Sequence, residues 1–380
     1  MRTLLVTGPG GAGSSTVAAA TALAAARAGH RTRLLTTAAP VVAGLVDEVA
    51  VQVVAPGPAV EAAWAGHADQ LAALVPALGL PPASSVVPLP GAGEVALLVE
   101  LGRVAAAGDT DVLVLDAGPV DRATALLGLP AALRWWSAQL APPRLRVLAA
   151  VRSAAGRGRP GVLEAALAAL TATEALVDRM PDVEVHLVLP PDPRALPALR
   201  GTAAGVGLLG RPVAAATLAR VLPGGAGEWA AARAAAQDQV RAALHGTGFP
   251  VGELAEAPRP PADVDALTAL GVGLPDPPAA PAGPSSRREG TGWVLDVPLP
   301  GAGRGEVELT RWGDELVVGV AGVRRSLPLD SLLRRCAVTS ASVRDPGTPA
   351  AALAVRFVAD PAQWPADLLA AEDVRAGASR

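Results

Sequence analysis

Gly8-Pro9-Gly10-Gly11-Ala12-Gly13-Ser14-Ser15-Thr16 stands between an apolar run at residues 2–7 and a long Ala-rich stretch. The run reads as a short buried strand. The stretch reads as a helix that closes at Ala28-Gly29-His30, with Gly29 as its stop. Arg33-Leu34-Leu35-Thr36 then reads as a second strand. Strand, glycine loop, helix and strand make a βαβ unit, the building block of a parallel sheet. A glycine loop at such a join presents backbone N–H groups at a helix N-terminus, a setting suited to phosphate oxygens.

Three readings of the loop are open. A full Walker loop adds a lysine for the β- and γ-phosphates and a Ser/Thr for Mg²⁺. Gly8, Gly13, Ser15 and Thr16 occupy the right places, but Ser14 stands where the lysine belongs. The spacing Gly8-x-Gly10-x-x-Gly13 also meets the dinucleotide fingerprint, which wants an acidic residue at the end of the second strand. Thr36-Thr37-Ala38-Ala39 offers none. The third reading is a tight glycine turn that binds nothing.

Further strands are expected at 111–116, 145–151 and 183–189, with Ala-rich helical stretches between them. The pattern predicts an α/β fold, a parallel sheet flanked by helices, through residue 274. Residues 275–290 are rich in Pro, Ala and Ser and read as an extended linker. Beyond it the apolar period drops to two. Trp293, Leu295 and Val297 alternate with Val294 and Asp296, and Val307 and Leu309 with Glu306, Glu308 and Thr310. A turn at Trp312-Gly313-Asp314 leads to Leu316-Val317-Val318-Gly319-Val320. Short strands with Gly/Pro turns predict a small all-β sandwich over 291–365, followed by a frayed tail at 366–380.

The chain has 380 residues, 51 % hydrophobic and 18 % charged, enough apolar content for packed cores. It contains no lysine, so all 32 basic side chains are arginine. Chemistry that needs a lysine of this chain is therefore excluded. A formal charge of −3 leaves no electrostatic footprint for nucleic acid. One cysteine, Cys336, excludes an intrachain disulfide and suits a reducing cytoplasm. Apolar stretches are broken before about 18 residues, so no integral membrane segment is expected. His30, His67, His186 and His245 stand singly and read as surface or cap residues rather than metal ligands.

The segments, taken in order, resemble the ArsA family of deviant-Walker ATPases, which includes arsenite-pump ATPases and carriers of tail-anchored proteins. The loop resembles the family's Gly-Lys-Gly-Gly-Val-Gly-Lys-Thr-Thr. Leu34 to Pro40 resembles its first switch, Leu89-Pro90-Gly91-Ala92-Gly93-Glu94 its Leu-Pro-Gly-x-x-Glu stretch, and Asp116-Ala117-Gly118-Pro119 with Leu126 to Pro130 its second switch. Val297-Pro298-Leu299-Pro300-Gly301, Leu316-Val317-Val318 and Leu327-Pro328-Leu329 resemble the small-heat-shock (α-crystallin-like) domain of some bacterial members.

The resemblance implies ATP and Mg²⁺ as cofactors, held by Gly8, Gly10, Gly11, Ala12, Gly13, Ser14, Ser15 and Thr16, with Asp116 in the metal's shell. Asp116 also reads as a residue that ends a strand-to-helix turn. The resemblance further implies a cytoplasmic dimer, either homodimer or heterodimer with a paralogue. Four positions depart from the pattern. Pro9 and Ser14 replace the two loop lysines, Ala38 replaces the water-positioning Asp, and Ala219 falls near the adenine-reading Asn. Arg offers no rescue within the loop, since Arg2 lies at the far end of the strand. Each such transition-state contact is worth about 10²–10³ in rate, so the expected protein is a degenerate ATPase that binds a protein client. The alternatives are a working ATPase coupled to anion transport or membrane-protein targeting, and a non-catalytic partner of an active paralogue. Cys336 alone cannot bind arsenite with several thiolates. Leu133-Arg134-Trp135-Trp136 reads either as core packing or as a hydrophobic recognition site. Arg324-Arg325 and Arg334-Arg335 read as solvated sandwich edges.

Overall fold

The computed structural model describes residues 1–40, 42–74, 80–140 and 180–364, with Arg144, Val147, Thr171, Glu174, Ala175, Val177 and Asp178 besides. The strand expected over 145–151 and the tail at 366–380 lie outside the described residues, apart from Val147.

The apolar runs become a seven-stranded parallel sheet flanked by helices. Its strands are β1 (Arg2–Gly8), β2 (Thr32–Thr36), β3 (Ala50–Val53), β4 (Val112–Pro119), β5 (Val183–Leu189), β6 (Val213–Val221) and β7 (Val251–Ala255), in the order β3-β2-β4-β1-β5-β6-β7. Leu4, Leu5 and Val6 of β1 and Leu113, Val114 and Leu115 of β4 are wholly buried. Strands covered on both faces carry continuous rather than alternating apolar runs, and each such side chain contributes about 1.5–3 kcal/mol. The helices between the strands are α1 (Ser14–Arg27), α2 (Leu45–Glu48), α3 (Pro56–Leu74), α4 (Ala92–Ala107), α5 (Val120–Leu140), α6 (Ala195–Leu208), α7 (Glu228–His245) and α8 (Val264–Thr268). The stop expected at Gly29 is a Schellman motif. Gly29 lies at φ +90°, its N–H bonds Ala26 O at 2.9 Å, and that of His30 bonds Ala25 O at 3.2 Å.

By their contacts the residues group into two compact units. One comprises Met1–Val6, Ser15–Val183 and Arg259–Leu274. The other comprises Thr7–Ser14, Glu184–Pro258 and Pro275–Arg380, so the C-terminal strands share a unit with β5, β6 and β7.

Those C-terminal strands form two antiparallel sheets, β10-β11-β12 (Val307–Trp312, Glu315–Val320, Val323–Pro328) and β13-β14-β9-β8 (Cys336–Arg344, Ala352–Ala359, Gly292–Pro298, Ser285–Glu289). Leu295, Val297, Leu316, Val318, Val355 and Phe357 are buried. The expected turn is a two-residue hairpin at Gly313-Asp314, with Trp312 opposite Glu315. One expectation fails. The linker does not extend to residue 290, because Ser285–Glu289 pairs with β9 as an edge strand. All five of its residues are exposed, so the ladder needs no apolar pattern. Arg287 instead bonds Asp296 at 3.1 Å, and charge on such an edge opposes pairing with a foreign strand.

Helix α6 carries the sandwich. A Cβ on Gly207 would lie 2.6 Å from Pro300 Cδ, and one on Gly301 would lie 2.9 Å from Arg200 O, so glycine permits the close approach. Arg325 completes the docking by donating to the Leu208 carbonyl at 2.7 Å, near the carbonyl end of the helix. It is half-buried and not the solvated edge charge expected, whereas Arg324 is exposed and pairs with Glu308 at 2.6 Å. Among the described residues, no helix is long and apolar enough to cross a membrane.

Candidate functional site

The loop follows β1 without a break. A Cβ on Gly8 would meet Val188 O at 2.1 Å, so only glycine lets β1 run this close to β5. Gly11 and Gly13 adopt φ +83° and +96°, and Ala12 N–H closes a turn on Pro9 O at 3.0 Å. Ala12 is buried beneath the loop, while Gly10 and Gly11 face solvent, with no atom within 4 Å of where their Cβ would stand. Ser14 opens α1. Ser15 is exposed and Thr16 half-buried in its first turn, which holds no acidic residue. An anion would therefore meet backbone N–H groups and hydroxyls there, with no carboxylate in that turn to repel it.

One cation does reach the loop, and the sequence reading missed it. Arg220 Nη1 donates to Gly11 O at 3.2 Å, while Nε and Nη2 donate to Glu256 Oε1 at 3.2 and 3.0 Å. Arg220 has φ +61°, a left-handed conformation rare for a side chain of its size. It is the residue left over where the register of β6 with β7 shifts between Ala219 and Val221. Bulges of this kind re-aim a side chain. Ala219 itself is buried, and the guanidinium is carried by its neighbour. Only the proximity of position 219 hinted at this, since a bulge leaves no mark in composition.

In the other unit, Asp116 lies within β4, three residues before its end at Pro119. Its Oδ1 accepts from Gly118 N–H at 3.1 Å in an Asx turn, and its Oδ2 lies 3.3 Å from the Thr36 hydroxyl. The same hydroxyl lies 2.9 Å from Ala38 O and accepts from Ala38 N–H at 3.3 Å, tying the first-switch segment to β4. Ala38 is exposed and its methyl offers no proton acceptor. A second missed arginine joins the neighbouring segments. Arg122, in the first turn of α5, donates to Thr37 Oγ1 at 3.1 Å and pairs with Glu94 of α4 at 3.3 Å. Gly93 makes room for it, as a Cβ there would lie 2.9 Å from Nη2.

Of the Trp pair on α5, Trp135 is half-buried and Trp136 is 55 % exposed, with ring centroids 5.0 Å apart at 83°. Core packing does not account for Trp136. Leu140, one turn on, is also exposed, as are Val95 and Val99 one turn apart on α4.

His186 departs from expectation. It is buried in β5, its Nε2 lies 2.8 Å from Thr217 Oγ1, and its Nδ1 has no hydrogen-bond partner among the described residues. Burial pushes its pKa down to about 4. His30 and His245 are exposed, as expected, and the side chain of His67 lies outside the described residues. Cys336 is buried, with its pKa pushed up to about 11, chiefly by burial.

Residues 290–356 match the HSP20-like domain found in ArsA. The chain is 40 % identical to protein SCO2128 of Streptomyces coelicolor, over 96 % of this chain and 99 % of that one. It is 31 % identical to protein Rv2184c of Mycobacterium tuberculosis, over 96 % of this chain and 97 % of that one. The parallel sheet, the sandwich and these likenesses agree, and the chain belongs to the family of these two proteins, an ArsA-related family with an HSP20-like domain.

Proposed function

We propose that this protein is a degenerate ATPase of the ArsA kind, which binds ATP weakly or not at all, hydrolyses it poorly if at all, and acts by holding a protein client. The glycine loop carries the reading. Open space at Gly10, Gly11 and Gly13 suits a phosphate bound by backbone N–H groups. Ser15 and Thr16, with Asp116, are the oxygen donors that would hold Mg²⁺. ATP, when bound, supplies the phosphoanhydride whose cleavage drives the family's cycle. This chain's residues are poorly matched to that cleavage. Pro9 and Ser14 bring no charge to the loop, Ala38 cannot orient a water, and Oδ1 of Asp116 already accepts the Gly118 N–H. Client binding is supported by the exposed Trp136, Leu140, Val95 and Val99, large apolar groups that a solitary folded chain gains nothing by exposing. A dimer, of two copies or with a paralogue, is expected from the resemblance.

Phosphate release by the full-length protein with Mg²⁺-ATP tests the reading, and no turnover above background is expected. Turnover near 1 s⁻¹ that Asp116→Ala abolishes would overturn it. Arg220 favours the second reading, a working ATPase, because it keeps one guanidinium at the loop. That reading requires turnover, with its loss in Arg220→Ala.

A further inference from the structure

The two sheets of the sandwich have four outer strands, and three of them are guarded. β8 carries Arg287, Arg288 and Glu289, and β10 carries Glu308 and Arg311. β12 carries Arg324 and Arg325 and ends at Pro328. Charge and proline on an edge oppose the addition of a further strand. β13, the fourth outer strand, has neither from Cys336 to Val343. Among the described residues no strand pairs with its outer side, and Thr339, Ser340, Ala341 and Ser342 are exposed. A row of main-chain N–H and C=O groups is therefore open to pairing there.

Two features bound the open stretch. Arg311 donates to the carbonyls of Arg334, at 2.7 Å, and of Cys336, which covers the start of β13. A bulge follows, where the register with β14 shifts between Val338 and Ser340. Beyond it β13 runs regularly, from Ser340 opposite Arg356 to Arg344 opposite Ala352. Ala341 and Val343 stand opposite the buried Val355 and Leu353 and so share the core face. Ser340, Ser342 and Arg344 take the other face, where Arg344 reaches Asp296 at 2.9 Å. An uncharged edge of this kind has no side-chain feature that selects a foreign strand, but it fits its own copy. Antiparallel pairing about a two-fold axis at Ser342 sets Ala341 of one copy opposite Val343 of the other, core face to core face. Each Arg344 then lies opposite a Ser340, so no like charges meet.

We propose that β13 is a self-association edge, at which a second copy of this chain pairs antiparallel through Ser340–Arg344 and joins the two four-stranded sheets into one. The contact needs neither nucleotide nor client and does not rest on the function proposed above. A strand pair of this length buries little surface, so the dimer belongs to the weak, reversible class.

Sedimentation velocity of the full-length protein tests the pairing, and a monomer–dimer equilibrium with a Kd of about 10–100 μM is expected. Ser342→Lys sets two ammonium groups face to face at the axis and is expected to raise Kd at least tenfold with an unchanged melting curve. Ser342→Glu is expected to do the same alone. An equimolar mixture of the two variants is expected to associate at least as well as the wild type. Ser286→Lys, on the guarded edge β8, is expected to leave Kd unchanged. Ser342→Cys is expected to give a disulfide-linked dimer on mild oxidation, and Ser286→Cys to give none, with the native Cys336 buried out of reach. A wild-type chain that stays monomeric across that range, a dimer that Ser342→Lys leaves intact, or charge variants that do not rescue each other in the mixture would each overturn the proposal.

Discussion

Arg220 lies against Gly11, its Nη1 3.2 Å from the loop carbonyl, at the cost of a backbone φ of +61°. Strain of this sort costs about 1–3 kcal/mol and persists where the surroundings over-determine it. Arg220→Gly is expected to relieve the strain and Arg220→Ala to retain much of it, so the glycine variant melts higher than the alanine variant. Both variants lose the cation. If the loop binds nucleotide, both weaken it about tenfold, or about 1.4 kcal/mol, by calorimetry with ADP. Unequal losses in the two variants would assign the effect to backbone shape rather than charge.

The contact between Gly207 and Pro300 makes the seat of the sandwich testable. Gly207→Ala places a methyl 2.6 Å from Pro300 Cδ and is expected to destabilise the protein by about 1–3 kcal/mol in a urea melt. Pro300→Ala removes that ring carbon, and the double variant is expected to recover at least half of the loss. Additive losses would place the damage elsewhere in α6.

His186 predicts an acid-sensitive unit. Its folded pKa of about 4 lies below the ordinary value of 6.5, so the unfolded chain takes up the proton first as pH falls. Stability from the neutral, buried ring is complete above pH 6.5 and is lost between pH 6.5 and 4. The shift corresponds to about 3 kcal/mol. His186→Gln can still bond Thr217 and does not titrate, so it is expected to flatten this part of the stability–pH curve. A wild-type curve flat over that window would refute the assignment.

Trp136 and Leu140 are expected to be nearly silent for folding and important for client capture. Trp136→Ser with Leu140→Ser should change stability by less than about 0.5 kcal/mol per site, as surface substitutions do. Binding of a fluorescent apolar peptide, measured by anisotropy, is expected to weaken by about tenfold or more. Unchanged peptide affinity would remove α5 from the client surface.

The βαβ start was legible because its signals are local. The apolar run of β1, the glycines of the loop and the Gly29 stop each act within a few residues. The hairpin of β10 and β11 was legible for the same reason, through Gly313 and alternating side chains. β6 was not. Its Val213-Ala214-Ala215-Ala216-Thr217 has the composition of a helix, and its place between β5 and β7 overrides that preference. β8 was hidden by polarity, because an edge strand needs only hydrogen bonds and a neighbour.

The site divides along the same line. From the sequence alone come the α/β class, the sandwich, the glycine loop and the loss of charge at Pro9 and Ser14, since each depends on residue type and near spacing. Only the tertiary structure decided that Arg220 returns a guanidinium to that loop from 209 residues away, and that Arg122 ties Thr37 to Glu94. It also decided that His186 is buried and Trp136 is not, and that Arg325 anchors the sandwich to α6. Such contacts depend on which strand lies beside which and where a bulge turns a side chain. Those choices follow from the packing of the whole chain, and no short stretch of residues encodes them.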